Sequence, residues 1–335
     1  MSTLKVALLG ATGETGSSIV KGLLKSTEPH YHFDVNFDVQ DITALARASS
    51  LGKPALQELK QQGVKLVAID LEGPEADMAE LVQGMDVVIS AIDASHLRAQ
   101  IPLANACKAA GVGRFVPCCF ATVAPPKGVQ VLRDIKEDVL NHIKKLYLPY
   151  TVIDVGWWYQ ITLPRLPSGR IDYALPPNEQ IIAGDGDMKY AVTDIADIGR
   201  YTARIVADPR TLNQLVFAYT EMKTQHQIYD LIEKLSGENV NRVYVPTEKI
   251  QEGIMEAQAQ DIEPGTPAFF KLAILQYWNS WGIRGDNTPE YARYLGYLIG
   301  KDLYPGLEGK PYEQYCKETL EGKSHAVYKG MGFTN

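Results

Sequence analysis

Near the start of the chain, Gly10-Ala11-Thr12-Gly13-Glu14-Thr15-Gly16 sets three glycines at a spacing of three. That pattern suits a phosphate. Gly10 permits a tight exit from an extended run. Gly13 lets the main chain approach a pyrophosphate with no Cβ in the way, and Gly16 permits a helix to pack closely against the strand. The apolar residues 4–9 before the turn read as a short buried strand, and the run from Ser17 to Lys25 after it reads as a helix. A helix N-terminus presents N–H groups and a positive dipole end to an anion. Thr12, Glu14 and Thr15 are therefore candidate ligand contacts together with the three glycines. A tight turn without a ligand is the plainer alternative; the strand–turn–helix context favours the phosphate.

Further candidate groups are spread along the chain. Arg47, Ser49, Ser50 and Lys53 come at or just after the end of a second strand, 41–47. An acidic residue there would hold the ribose hydroxyls of NAD, whereas an arginine suits a 2′-phosphate. NADP(H) is the expected cofactor, with Arg47, Ser49 and Lys53 as donors, although an ordinary surface cation would look the same. Asp93 and His96 come after a fourth strand and are candidates for proton transfer. Lys136 lies at the margin of the apolar stripe Leu132, Ile135, Val139, Ile143 and Leu146 on a helix expected over 129–147. The stripe alone admits a lysine snorkelling at a boundary or an ammonium entering a cleft. Trp157, Trp158 and Tyr159 either wall a flat apolar substrate, aromatic or indole-like, or pack in a core.

The elements that must position these groups alternate. Strands are expected at 4–9, 41–47, 64–69, 85–91, 113–117 and 150–155, with helices between them at 17–25, 53–62, 75–83, 98–110 and 129–147. This order predicts an α/β fold, a Rossmann-type doubly wound parallel sheet. The expected cofactor domain is 1–156. Residues 157–335 are expected to form a smaller, mainly substrate-binding C-terminal domain, with segments near 189–220 returning to the Rossmann core. Helical signals recur at 194–207, 223–235 and 247–259. The stretch 26–40 has no clear period.

Composition narrows the rest. The 335 residues are 45% hydrophobic and 22% charged, with a net charge of −7 and no basic stripe, so nucleic acid is not an expected partner. Cys107, Cys118, Cys119 and Cys316 show no metal-ligand spacing, and a metal is not expected. Reduced cysteines and the absence of signal-peptide features predict a soluble cytoplasmic protein. No apolar run reaches the ~20 residues of a membrane span. The sequence does not choose between a monomer and a homodimer.

Several segments together resemble the NmrA-like and isoflavone-reductase-like family, atypical short-chain dehydrogenases that include the phenylcoumaran benzylic ether reductases. Gly111-Val112-Gly113-Arg114-Phe115-Val116-Pro117 is similar to the family's GVKRF-P segment. Gly184-Asp185-Gly186 and Asp197-Ile198-Gly199-Arg200 are similar to its GDG and DIGR segments. Arg284-Gly285-Asp286 and Asp302-Leu303-Tyr304-Pro305 are similar to its RGD and ELYP segments. The resemblance implies NADPH binding and a catalytic lysine thirteen residues before a proline; Lys136 stands thirteen before Pro149. It implies contacts from Lys136 to the nicotinamide ribose or the substrate, and substrate contacts from Trp157, Trp158 and Tyr159. Where the family carries PSEFG, this chain has Pro117-Cys118-Cys119-Phe120-Ala121, which places Cys119 and Phe120 among the expected substrate contacts; small packing residues beside the cofactor are the plainer role for the thiols. Leu132 occupies the position of the usual short-chain dehydrogenase tyrosine. The expected activity is NADPH-dependent reduction of a small aromatic secondary metabolite. Two alternatives are a redox-neutral cyclase or isomerase that binds NADP(H), of the kind found in fungal alkaloid biosynthesis, and a non-enzymatic NADP sensor of the NmrA type.

Overall fold

A computed structural model describes residues 2–25, 37–177, 180–260 and 262–328. The chain forms two compact units. The first comprises Met1–Phe120, Ile135–Ile153 and Ala196–Val216; the second comprises Ala121–Asp134, Asp154–Ile195 and Phe217–Asn335.

In the first unit, β1 (Ser2–Leu9), α1 (Glu14–Lys25), β2 (Phe37–Ala46), α2 (Pro54–Gln61), β3 (Lys65–Ala68), α3 (Glu75–Val82), β4 (Val87–Ser90), α4 (Ile101–Ala109) and β5 (Arg114–Val116) alternate strand with helix. The five strands are parallel in the order β3-β2-β1-β4-β5. After α5 (Val131–Lys145), β6 (Thr151–Asp154) continues the sheet beyond β5 through a parallel bridge between Phe115 and Tyr150. The order is that of a doubly wound sheet, whose ligands bind outside the carboxyl ends of the strands. β4, β5 and β6 are buried along their whole length, which explains why their sequences are largely apolar; the polar ends Arg114 and Asp154 are buried with hydrogen-bond partners.

Ala7 and Leu9 of β1, Val88 of β4 and Phe115 of β5 pack with Met78, Leu103, Cys107, Val139 and Ile143 from α3, α4 and α5. Each such fully buried large side chain contributes roughly 1.5–3 kcal/mol. Val6 and Leu8, equally buried, point to the opposite face by strand alternation. There α6 (Ile195–Ala207) meets α1 almost backbone to backbone. The Ser18 hydroxyl donates to the Ala196 carbonyl at 3.3 Å and accepts the Gly199 N–H at 2.9 Å. A Cβ on Gly199 would land on the Ser18 carbonyl, and one on Gly22 would land on the Gly199 carbonyl.

The second unit holds short strands. β7 (Trp157–Trp158) runs parallel to β9 (Tyr190–Thr193), which pairs antiparallel with β11 (Glu221–Lys223). β8 (Ile182–Ala183) pairs with β12 (Tyr244–Val245). Its core is aromatic, with Tyr159, Tyr190, Tyr229, Trp281, Tyr312 and Tyr315 in one cluster. The helices α7 (Gln225–Ser236) and α8 (Thr247–Gln258) fall within a few residues of their sequence signals. β10 (Gln214–Phe217), most of which belongs to the first unit, lies beside β6.

Two elements depart from the sequence reading. The helix expected over 98–110 is a 3-10 helix, Ala94–Gln100, followed by α4; His96 breaks the helical dihedrals and Pro102 opens the regular turn. β2 begins at Phe37, so four residues of the aperiodic stretch are strand, while 26–36 lie outside the described residues. The beginning of β2 pairs with Ser2–Leu4, and a register shift comes between Leu4 and Lys5. Such a shift interrupts a period-two pattern, which is why the sequence hid the strand's beginning. Among the described residues no helix is long and apolar enough to cross a membrane.

Gly199→Ala should raise helix propensity on α6 and still destabilise the fold, by about 1–3 kcal/mol, because the methyl overpacks the crossing with α1. Denaturant unfolding measures it; unchanged stability would show that the helices can part without loss.

Candidate functional site

The glycine turn joins β1 to α1 at the carboxyl end of the sheet. Gly10 has φ +85°, and its Cβ would strike the Ala91 carbonyl of the strand next door. A Cβ on Gly16 would strike the Gly10 carbonyl. Gly13 differs. Its hypothetical Cβ lies 3.4 Å from the Gly10 oxygen and 3.8 Å from the Ala91 oxygen, ordinary contact distances. Gly10 and Gly16 are thus required by the protein's own packing, whereas nothing in the protein demands a glycine at 13. Gly13 and Thr12 are exposed, and Glu14 and Thr15 are half-buried at the first turn of α1, the geometry in which main chain and a helix N-terminus meet an anion.

The carboxyl ends of β2 and β3 border a cavity of about 610 Å³. Arg47, Ala48 and Ser49 line it from β2, Ile69 and Asp70 from β3, and Met78 from α3. Arg47 is exposed and extended, immediately after the strand, and its carbonyl accepts the Ser50 N–H at 2.8 Å. Lys53 is exposed as the residue preceding α2 and is not part of that lining. The cavity thus presents a guanidinium and a hydroxyl on the β2 side and two carboxylates, Asp70 after β3 and Asp77 on α3.

Lys136 is 9% exposed on the second turn of α5, and its ammonium donates to the Cys119 carbonyl at 2.7 Å. The lysine is therefore brought to the loop after β5. Cys119 turns its side chain into a small apolar cluster with Leu140 and Val152. Phe120 is 2% exposed and holds φ +39°, a left-handed conformation unusual for a bulky residue; its N–H donates to the Ile153 carbonyl at 2.8 Å. These two expected substrate contacts are packing residues whose backbone carries the site geometry. Cys118 donates its thiol to the Ile92 carbonyl at 3.1 Å, and its N–H reaches the Gln100 side chain at 2.9 Å.

Asp93 and His96 form one device. The Asp93 carboxylate caps the 3-10 helix by accepting the Ser95 N–H at 2.9 Å, and both its oxygens face His96 Nδ1, at 2.9 and 3.0 Å. Partial burial pushes the Asp93 carboxyl up, but the His96 ring and the Ser95 N–H outweigh it, so its pKa lies below the ordinary aspartate value. A carboxylate that fixes Nδ1 leaves Nε2 as the working nitrogen, the arrangement of an oriented base.

In the second unit, Arg133, Asp154 and Tyr297 form a buried network. Asp154 Oδ2 accepts from Arg133 Nη1 at 2.6 Å and from the Tyr297 hydroxyl at 2.7 Å, and Arg133 Nη2 donates to the same hydroxyl at 2.7 Å. The ion pair is almost fully buried, and removing one partner of such a pair costs about 3–5 kcal/mol. Asp154 stands three residues before the aromatic trio. Trp157 packs inward on Tyr277 and Trp281, with ring centroids at 4.9 and 5.7 Å. Tyr159 is fully buried between Tyr312 and Tyr315 and presents no face to a ligand. Trp158 points the other way and is half-buried; Tyr328, near the C-terminus, stacks on it at 5.8 Å and 19°. Tyr328 has φ +58°. A left-handed non-glycine residue costs on the order of 1–3 kcal/mol, more than the roughly 0.5–1.5 kcal/mol of one stacked pair, so the stack alone does not hold Tyr328 in place. Sequence reasoning missed Tyr328 and the Arg133 network because their members lie far apart along the chain and share no motif.

The NmrA-like family model matches residues 2–269. The chain is 47% identical over 325 residues, 96% of each chain, to asnovolin J 5′,6′-dehydrogenase of Aspergillus novofumigatus. It is 29% identical over 333 residues, 94% of this chain and 98% of the other, to an isoflavone reductase-like protein of Olea europaea. Among solved structures, leucoanthocyanidin reductase of Vitis vinifera in binary complex with NADPH superposes with a TM-score of 0.75 at 21% identity, covering 95% of this chain and 99% of that one. The match of fold and of sequence runs over nearly the whole chain, and the protein belongs to the NmrA-like family, among its isoflavone-reductase-like oxidoreductases.

Proposed function

We propose that this protein is an NADP(H)-dependent oxidoreductase that transfers hydride at a carbon of a small, ring-bearing secondary metabolite. The observation that carries the reading is the contrast within the glycine turn: Gly10 and Gly16 are fixed by backbone contacts, while the open position of Gly13 suits a pyrophosphate lying against the main chain. Arg47 and Ser49 are assigned to the 2′-phosphate, and the Asp70 carboxylate to the amino group of the adenine. Bound nicotinamide supplies or takes up the hydride. Lys136, held by the Cys119 carbonyl, is assigned to the nicotinamide ribose and to a developing oxyanion on the substrate, which its charge stabilises. His96, oriented by Asp93, is assigned to proton transfer. Trp158 is the aromatic contact for the substrate, in a second unit that serves substrate binding; Trp157 packs on Tyr277 and Trp281, and Tyr159 belongs to the core.

Experiment decides the direction of transfer, since one relative is named a dehydrogenase and others reductases. Purified protein incubated with candidate metabolites and either NADPH or NADP⁺ is followed at the nicotinamide absorbance and by product mass. Net cofactor oxidation or reduction with product supports the reading. Product without a net cofactor change would replace it with a redox-neutral cyclase or isomerase. Tight cofactor binding without turnover would replace it with a sensor.

Three variants test the residue assignments. Gly13→Ala should leave the melting temperature nearly unchanged and weaken NADPH binding at least about tenfold, ~1.4 kcal/mol, in calorimetry; full affinity in the folded variant would remove the phosphate from this turn. Arg47→Ala should weaken NADPH by about 1.5–3 kcal/mol and leave NADH unaffected, because only the former carries the 2′-phosphate. An equal loss for both cofactors would contradict the assignment. Lys136→Met keeps the length of the side chain and removes its charge; turnover should fall about 10²-fold or more. Near-normal turnover would make Lys136 a structural donor to Cys119 alone.

A further inference from the structure

In the second unit three elements bring an acid, an imidazole and a phenol together. The Gly184-Asp185-Gly186 turn follows β8 and delivers Asp187, whose N–H donates to the Asp185 carboxylate at 3.0 Å. Helix α7 opens on Thr224, which forms a reciprocal cap with Gln227, and His226 stands in its first turn. The Gln225 side chain accepts the Ala183 N–H at 2.8 Å and donates to the Ile181 carbonyl at 2.6 Å, so the start of α7 is locked to β8. Tyr244 comes from β12 and pairs with Ile182 of β8. His226 Nδ1 lies 2.8 Å from Asp187 Oδ1, and its Nε2 lies 3.0 Å from the Tyr244 hydroxyl. A carboxylate only accepts, so Nδ1 carries the proton in the neutral ring; Nε2 is then the acceptor and the phenol the donor. Gly186 leaves room for the ring, since a Cβ there would come within 2.9 Å of His226 Nε2. Tyr244 is 47% exposed and open to an incoming molecule.

We propose that Tyr244 is a nucleophile, with His226 as its general base and Asp187 orienting that base, and that this site takes acyl groups from activated esters. A hydroxyl, a base within hydrogen-bond reach of it and an acid that orients the base make an activated nucleophile, here a phenol. A hydrogen bond that only joined β12 to α7 would be served by either tautomer of the ring; Asp187 selects the one in which Nε2 takes a proton. The phenol oxygen attacks the acyl carbon while its proton passes to Nε2. The bond from the acyl carbon to the leaving oxygen then breaks, and the imidazolium gives its proton to that oxygen or to water. The products are an acyl ester of Tyr244 and a free alcohol, with no change in oxidation state. The site stands apart from the oxidoreductase reading, which assigns none of these three residues.

The test incubates the full-length protein with p-nitrophenyl acetate, follows nitrophenol release by absorbance and locates the acetyl group by peptide mass. Tyr147 and Tyr294 serve as internal references, being more exposed at 86% and 81%. Tyr244 should be acetylated at least about tenfold faster than either, because a positioned base contributes that much and more. His226→Gln keeps a hydrogen-bonding side chain without a base and should bring Tyr244 down to the reference rate. Asp187→Asn should slow it in the same direction. Tyr244→Phe should lose both the label and the fast release. Acetylation of Tyr244 no faster than the references overturns the proposal and leaves a structural hydrogen bond. A fast label in His226→Gln overturns it as well, and fast release in Tyr244→Phe would overturn it by making His226 the nucleophile. Melting curves show which variants fold. Where His226→Gln does not, Asp187→Asn decides, since its side chain is 72% exposed: an unchanged rate at Tyr244 overturns the relay.

Discussion

Helix α1 is held by close backbone contacts at two places, and the glycine-turn end of the first unit depends on that. At its N-terminus Gly16 rests on the Gly10 carbonyl, and Gly10 on the Ala91 carbonyl of the neighbouring strand. Further along, Ser18 and Gly22 meet Gly199 of α6 with only the Ser18 hydroxyl bridging the two backbones. These contacts fix both the direction of the helix and its height above the sheet. A helix dipole acts on an anion only within about the first turn, so a shift of an ångström or two at α1 would separate the N-terminus from any phosphate it is to hold. The segment around Gly199 in this chain thus helps seat α1 as the glycine turn does, although it lies far from it in sequence.

The doubly wound class and the existence of its strands and helices were legible because strands covered on both faces read as nearly continuous apolar runs, and amphipathic helices separate them. Lys136 was legible in part. The stripe of α5 put it at a boundary, and Val139 and Ile143 indeed face the sheet. What the stripe could not give is the partner, because the Cys119 carbonyl belongs to a loop whose path depends on a left-handed Phe120. Arg47 was legible as a cation at a strand's end, but the acidic residues that share its cavity, Asp70 and Asp77, were not, since they come from after β3 and from α3.

The aromatic trio shows where residue type stops being informative. Trp157, Trp158 and Tyr159 are adjacent and chemically alike, yet their surroundings differ because β7 is only two residues long and turns at once into a 3-10 helix. Strand alternation sends Trp157 and Trp158 to opposite faces, and the helical turn returns Tyr159 to the core. No window of sequence shorter than the local fold distinguishes the three. The buried Arg133–Asp154–Tyr297 network was illegible for a related reason: its members are joined only by tertiary structure, and each alone reads as a surface polar residue.

The acceptor for the Lys136 ammonium is a main-chain oxygen. A carbonyl is supplied by any residue type, so the loop after β5 can change its side chains without moving the charge. In this chain Cys118 and Cys119 fill that loop with thiols, Cys119 packing against Leu140 and Val152, while the Cys119 carbonyl holds the lysine. The position of the charge is thus set by the path of the backbone, and the lining of the loop by its side chains, so the two can be altered separately by substitution.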